Sequence, residues 1–209
     1  MNDFLRALAI QRWDDHRFYH HSRINQSLHF ISAVSFLLAY ALLFSDPALA
    51  ALIGWLVSMV TRQIGHFFFE PDGYDDVNHT TNDYKEAIKV GYNIRRKIVL
   101  LSLWAASPAL LFVDNTLFGL LAPADSLPAF VHATGLIWLA LGVGGLLFRT
   151  IHLFFLRDTQ TGLVWLTKIL TDPFNDIRLY HRSPLYLLRG QLIDPMHHVP
   201  DHDPLKQHA

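Results

Sequence analysis

Phe18 to His29 carries the residues best suited to chemistry, with Tyr19, His20 and His21 followed by Asn25 and His29. On a helix of 3.6 residues per turn, His21, Asn25 and His29 stand at i, i+4 and i+8 and share one stripe. Two imidazoles and a carboxamide then face the same way at the mouth of an apolar segment. Burying such groups without partners costs roughly 1–3 kcal/mol each, and one metal ion satisfies several together. His66 and Glu70 repeat the i, i+4 spacing and offer a nitrogen and a carboxylate to one ion. The chain has 13 His and no Cys. Thiolate zinc sites and cysteine-ligated iron–sulfur clusters are therefore excluded, and nitrogen and oxygen must hold any metal. Each histidine alone reads more simply as an interfacial side chain bonded to a neighbour. Several at one depth, with Asn25 and Glu70 interleaved, favour a shared ion.

The elements that must position these residues are apolar. The chain has 209 residues, 51% of them hydrophobic and 13% aromatic, with a net charge of -1. Ile24 to Phe44 and Ala48 to Phe69 run for 21 and 22 residues, close to the roughly 20 needed to cross a hydrocarbon core. Ser45-Asp46-Pro47 breaks them into a hairpin. Ile98 to Val113 holds Pro108 and is only 16 residues long, so it reads either as a kinked or tilted crossing or as a re-entrant segment. Ala129 to Leu156 is the fourth span, with a flexible centre at Gly142-Val143-Gly144-Gly145. Between the second and third spans, Glu70 to Lys97 is hydrophilic, opening with a turn signal at Glu70-Pro71-Asp72-Gly73-Tyr74 and ending in a polar helix from Tyr84. Met1 to Arg23 reads either as an amphipathic surface helix or as a solvated one, and lacks the features of a secretory signal. Arg157 to Ala209 returns to a soluble composition, with a loosely ordered tail around His197-His198. The expected fold is an all-α integral membrane bundle of about four transmembrane helices. Residues 1–156 form the membrane-embedded catalytic domain, and residues 157–209 a cytoplasmic segment packing on the same face.

Charge sets the orientation. Four Lys and Arg lie before the first span, six from Arg62 to Lys97 and seven from Arg149 onward, which accounts for all 17. The two opposite loops have none. Positive residues gather on the cytoplasmic side of membrane proteins, so both termini and the central loop are expected there. Every histidine except His132 falls on that face, including His152, whose surroundings from Arg149 to Phe155 look like those of His66 from Arg62 to Phe68. An inner membrane in a bacterium, or the endoplasmic reticulum in a eukaryote, is the expected location.

Tyr19-His20-His21, Asn25 and Leu28-His29 before one span, with Gln63, Gly65, His66 and Glu70 closing the next, resemble the two signature motifs of the 2-hydroxy fatty acid dioxygenase family. That family was formerly classed as a domain of unknown function, and its fungal members act in odd-chain fatty acid formation from phytosphingosine. The resemblance covers Phe18 to Glu70 and implies a membrane-embedded, Fe(2+)-dependent enzyme that uses dioxygen to shorten a 2-hydroxy fatty acid by one carbon. Its histidines correspond to His20 or His21, His29 and His66, and Asn25, Gln63 and Glu70 match accompanying polar positions. After Glu70 the pattern departs, since Pro71 to His79 does not match the family's continuation.

Two His and one carboxylate with open positions form the usual pattern of non-haem iron(II) oxygenases. Arg62, Arg149 and Arg182 are candidates to meet a substrate carboxylate. Asp75, Asp76 and His79 form either a lid or second ligand group, or a solvated turn capping the helix near Asp83. One rival is a di-iron lipid hydroxylase or desaturase with His152, His181, His197 and His198 as added ligands. Another is a non-enzymatic membrane scaffold. A transporter is disfavoured because the spans carry almost no ionisable residue near their midplane. A nucleic-acid binder is disfavoured by the balanced charge.

Overall fold

The computed structural model describes residues 3–70, 73–90 and 94–199. Pro71 and Asp72 of the expected turn, and the tail from Pro200, lie outside that range. The chain is a helical bundle. Its elements are α1 (Asp3–Tyr19), α2 (Arg23–Leu42), α3 (Pro47–Ile53), α4 (Val60–Phe68), α5 (Asn82–Ile88), α6 (Ile94–Ala106), α7 (Leu110–Val113), α8 (Leu127–Leu156), α9 (Thr159–Tyr180) and α10 (Ser183–Leu188). Among the described residues, four stretches are long and apolar enough to cross a membrane: Arg23–Leu42, Pro47–Phe68, Arg96–Val113 and Leu127–Leu156.

Local chemistry fixes the boundaries. Ser22, Asp46, Ser126 and Asp158 each accept a backbone N–H of the first turn of α2, α3, α8 and α9, satisfying donors that have no intrahelical partner. Pro47 sits in the first turn of α3, where its missing N–H costs nothing. Pro108 gives a 3-10 turn over Ser107–Ala109 between α6 and α7, the expected kink of the third span. The glycines of α8 do not break it. One continuous helix runs through them, with Gly142 beneath the Trp55 indole.

Span two holds a π-helical stretch, Gly54–Met59, between α3 and α4, and its wider turn shifts the phase of α4 relative to α3. Ala48 and Ala51 are buried where α3 meets α8, and Gln63 and Gly65 where α4 meets α2. A Cβ on Gly135 would come within 2.5 Å of the Ala48 carbonyl, so α3 and α8 touch backbone to backbone. Small residues allow that approach where apolar burial alone provides no attraction. Nearby, Trp55 stacks on Trp104 at 5.1 Å and Trp104 meets Trp138 at 4.7 Å. The Trp55 and Trp138 ring N–H groups donate to the carbonyls of Trp138 and Trp104. These bonds tie spans two, three and four together at the end away from the histidines.

The other end is closed by α1, α9 and the C-terminal strap. α1 is packed, burying Leu8, His16, Phe18 and Tyr19. Beyond α10 the chain doubles back along the α1–α2 corner, where Arg23 N–H donates to the Leu192 carbonyl (2.8 Å) and Asp194 N–H to that of His21 (2.7 Å). Asp194 also takes Gln26 Nε2 at 2.9 Å and Arg23 at 3.0 Å, and Met196 is completely buried. The tail is therefore docked as far as Val199. His198 Nε2 meets His16 Nε2 at 2.8 Å. Burial, and then the neighbouring His198, lower the His16 pKa from 6.5 to about 4. Release of the strap removes His198 and the burial it provides, so His16 protonates more readily in the released form and docking weakens as pH falls from 6.5 toward about 4. Amide exchange over 192–199 should be slow at pH 7.5 and faster at pH 5 after correction for intrinsic rates, and His16→Leu should flatten this pH dependence. Equal protection of the wild-type strap at both pH values would count against it.

Candidate metal centre

Three imidazoles from three parts of the fold converge. His20 sits at the α1–α2 corner, His29 one and a half turns into α2, and His66 near the end of α4. One ring nitrogen of each lies within 4.8 Å of the others. Ring centroids are 4.3, 4.9 and 5.6 Å apart, all edge-on. His20 and His29 are almost wholly buried. The short loop between spans one and two forces α2 and α3–α4 to pack antiparallel, which brings His29 and His66 to one level.

Proton accounting shows what the cluster lacks. His20 Nδ1 lies 2.7 Å from the Asp15 carbonyl, which only accepts, and His66 Nδ1 lies 2.8 Å from Glu70 Oε2. A neutral imidazole carries one N–H, so both rings spend theirs on Nδ1 and present Nε2 as a lone pair. His29 Nδ1 faces Asp176 Oδ2 at 3.6 Å and makes no hydrogen bond. Moving its proton to Nε2 would turn a bare Nδ1 toward a carboxylate. These tautomers leave Nε2 of each ring as a lone pair, with His20 and His29 Nε2 3.2 Å apart. Metal–nitrogen bonds of about 2.0–2.2 Å place neighbouring ligand nitrogens roughly 3.0–3.5 Å apart. Burial, reinforced by the neighbouring His29, holds the His20 pKa well below its ordinary value, which keeps that ring in its ligating form. A backbone carbonyl or carboxylate behind each imidazole is the usual outer shell of a metal-bound histidine.

The scaffold around the three rings is built from the same motif. Asn25 Nδ2 donates to the Tyr19 carbonyl (2.9 Å) and Gln26 Nε2 to that of His20 (2.7 Å), and Ser183 Oγ donates to Gln26 Oε1 at 2.6 Å. The corner carrying His20 is thereby fixed. A Cβ on Gly65 would overlap Asn25 Oδ1 and press on the His29 ring. The glycine is what lets α4 approach α2 here.

A cavity of about 20 Å³ adjoins the cluster, lined by Arg12, Asp15, His16, Arg62, Lys168, Asp172, Asn175, Asp176 and Tyr180 beside the three histidines. Lys168 bridges Asp15 and Asp172, Arg62 pairs with Asp176, and Arg12 Nε stands 3.5 Å from Asp172. Burial alone would lower the Lys168 pKa, but Asp15 and Asp172 outweigh it and hold the ammonium above its ordinary value. Burial raises Tyr180 well above the usual phenol range. Its hydroxyl meets His16 Nδ1 at 3.2 Å, and its ring packs beside His20 and His29. Sequence reasoning missed this wall. Its signal was present, since Lys168, Asp172, Asp176 and Tyr180 recur every four residues.

The remaining candidates are placed elsewhere. His21 Nε2 binds the Arg17 carbonyl and faces Asp75 at 3.6 Å, so the stripe with Asn25 and His29 does not hold. His21 precedes the helix, where helical spacing does not apply. Glu70 orients His66 and pairs with Lys89 at 3.0 Å rather than joining the cluster, so the assembled set is three imidazoles instead of two with a carboxylate. Asn25 is structural, and Gln63 is buried on α4 with Oε1 unpartnered. His152 lies by Arg149 at 3.1 Å and by Phe148, and Arg149 donates to the Val90 carbonyl. His79 is exposed with φ 51°, and Asp76 is exposed. Asp75 accepts the Val77 and Asn78 N–H groups inside its own turn, while Thr81 caps α5. His181, His197 and Arg182 are exposed. Of the three arginine candidates, Arg62 alone lines the cavity.

No family model, curated protein or solved structure matches this chain.

His20→Ala, His29→Ala and His66→Ala should each remove the bound metal, measured per chain by plasma emission, and His29→Ala with His66→Ala should be little worse than either alone because one site is broken once. His21→Ala and His79→Ala should retain it. Gly65→Ala should lower metal content at least tenfold while the protein still elutes as the wild type. Full metal in any of the three histidine variants would refute a shared ion.

Proposed function

We propose that the chain is a membrane-embedded, non-haem iron(II) dioxygenase that shortens 2-hydroxy fatty acids by one carbon. The observation carrying this reading is the convergence of three imidazoles, from His20, His29 and His66, at the end of an apolar bundle. Nitrogen donors without thiolate suit iron, zinc, copper and nickel alike. The choice of iron comes from the likeness of Tyr19 to Glu70 to the dioxygenase motifs. Iron(II) in this position would supply the one-electron reactivity toward dioxygen that amino-acid side chains lack.

The chain's own residues fit an anionic lipid. Asp15, Asp172 and Asp176 pair with Arg12, Arg62 and Lys168 around the cavity. A divalent ion therefore brings uncompensated positive charge, which a carboxylate-bearing substrate neutralises. Arg62 and Arg12 are placed to orient that head group by charge-assisted hydrogen bonds. Tyr180 stays protonated and supplies a neutral O–H at the cavity wall. The apolar spans give an acyl chain its surroundings, and the Lys and Arg asymmetry orients the site toward the cytoplasm. A single ion is favoured over a di-iron pair because, of its added ligands, His152, His181 and His197 stand outside the cluster and His198 is bonded to His16.

Purified protein should hold close to one iron per chain. It should consume dioxygen with a 2-hydroxy fatty acid and yield a chain one carbon shorter, with no turnover of the unhydroxylated acid. Chelation should abolish the activity and iron(II) should restore it. Stoichiometric metal with no turnover of 2-hydroxy acids of any length would remove the substrate assignment, and turnover in metal-free protein would remove the iron.

A further inference from the structure

α9 is amphipathic in the reverse of the soluble sense. At 100° per residue, Lys168, Asp172, Asp176 and Tyr180 lie on one face, and all four are buried against the metal-site cavity. Leu163, Leu170 and Phe174 lie on the opposite face and are 43%, 44% and 60% exposed. A helix in water turns its apolar stripe inward and its charges outward. This one hides its ions and shows its hydrocarbon.

We infer that α9 is a fifth membrane-embedded helix, with its outer face in contact with lipid acyl chains. Three observations name that occupant. First, α9 packs laterally on α2 and α8, both of spanning length, and both carry exposed apolar side chains of their own, such as Val34 and Phe155. Second, Tyr40, near the far end of span one, donates its hydroxyl to the Leu170 carbonyl at 3.2 Å, which sets the middle of α9 at membrane depth. Third, the exposed stripe is polar at its two ends, Gln160 and Arg178, and apolar between Leu163 and Phe174, a length of about 17 Å at the helical rise.

The geometry also tells how it sits. Gly162, at the start of α9, packs on Thr150 and Phe154 near the end of α8, and Tyr180, at its end, packs on His16 and His20. Pro173 lies within its length. Hydropathy alone misses such a helix because its inward charges cancel the apolar face.

The absence of native cysteine permits a direct test. Nitroxides attached at Leu163→Cys, Leu170→Cys and Phe174→Cys in the full chain, reconstituted in bilayers, should collide several-fold more with dissolved oxygen than with a water-soluble nickel chelate. They should match Val34→Cys on α2, while Gln160→Cys and Arg178→Cys should favour the chelate. A lipid-soluble carbene reagent should label the same stripe of the unsubstituted chain, which requires no variant to fold. Chelate collisions at 163, 170 and 174 with a lipid-like Val34 would place α9 in water and overturn the inference. Exclusion of both reagents would mean a protein covers the face and would overturn it equally. A chelate-accessible Val34 would show that the membrane reading itself had failed. None of these outcomes depends on the metal or the reaction.

Discussion

A polar group inside an apolar layer must find its partner within the chain, because neither lipid nor core side chains offer one. The histidine end of this bundle is organised by that requirement. His20 leans on the Asp15 carbonyl, His66 on Glu70, Arg62 on Asp176, and Lys168 on both Asp15 and Asp172. Each pair joins different elements or fixes a helix end, so satisfying the polar groups and assembling the tertiary structure are the same act. At the centre the Nε2 atoms of His20 and His29 face each other at 3.2 Å.

The opposite end obeys a different rule. There the contacts are Gly135 on the Ala48 backbone and the interleaved indoles of Trp55, Trp104 and Trp138. These contacts depend on shape and dispersion rather than charge, and suit helices whose surroundings are as apolar as their side chains. One end is locked by packing, while the other is held by ion pairs and hydrogen bonds around a cavity. The π-helical stretch in span two reconciles them, since it offsets the phase of α3 from that of α4 and lets one span serve both partners.

Sequence periodicity determined a good deal. Apolar length gave four spans and their breaks, because helix length and turn residues are local properties. The motif residues around His20, His29 and His66 were recognisable by type, and the short Ser45-Asp46-Pro47 connection already implied that His29 and His66 meet. Residue type also excluded thiolate chemistry outright.

Which nitrogens point inward was a matter for the tertiary structure alone. His20 and His21 are adjacent and chemically identical, yet His20 joins the cluster and His21 turns to Arg17 and Asp75, because the α1–α2 corner at Tyr19 is fixed by Asn25 and by the strap at Asp194. His66 and His152 sit in similar local sequences, and only one has α2 beside it. Glu70 passed from ligand to orienting group because Lys89 and His66 share its two oxygens. The charges of α9 were placed for the same reason: average hydropathy sums both faces of a helix, whereas burial depends on which face meets the cavity.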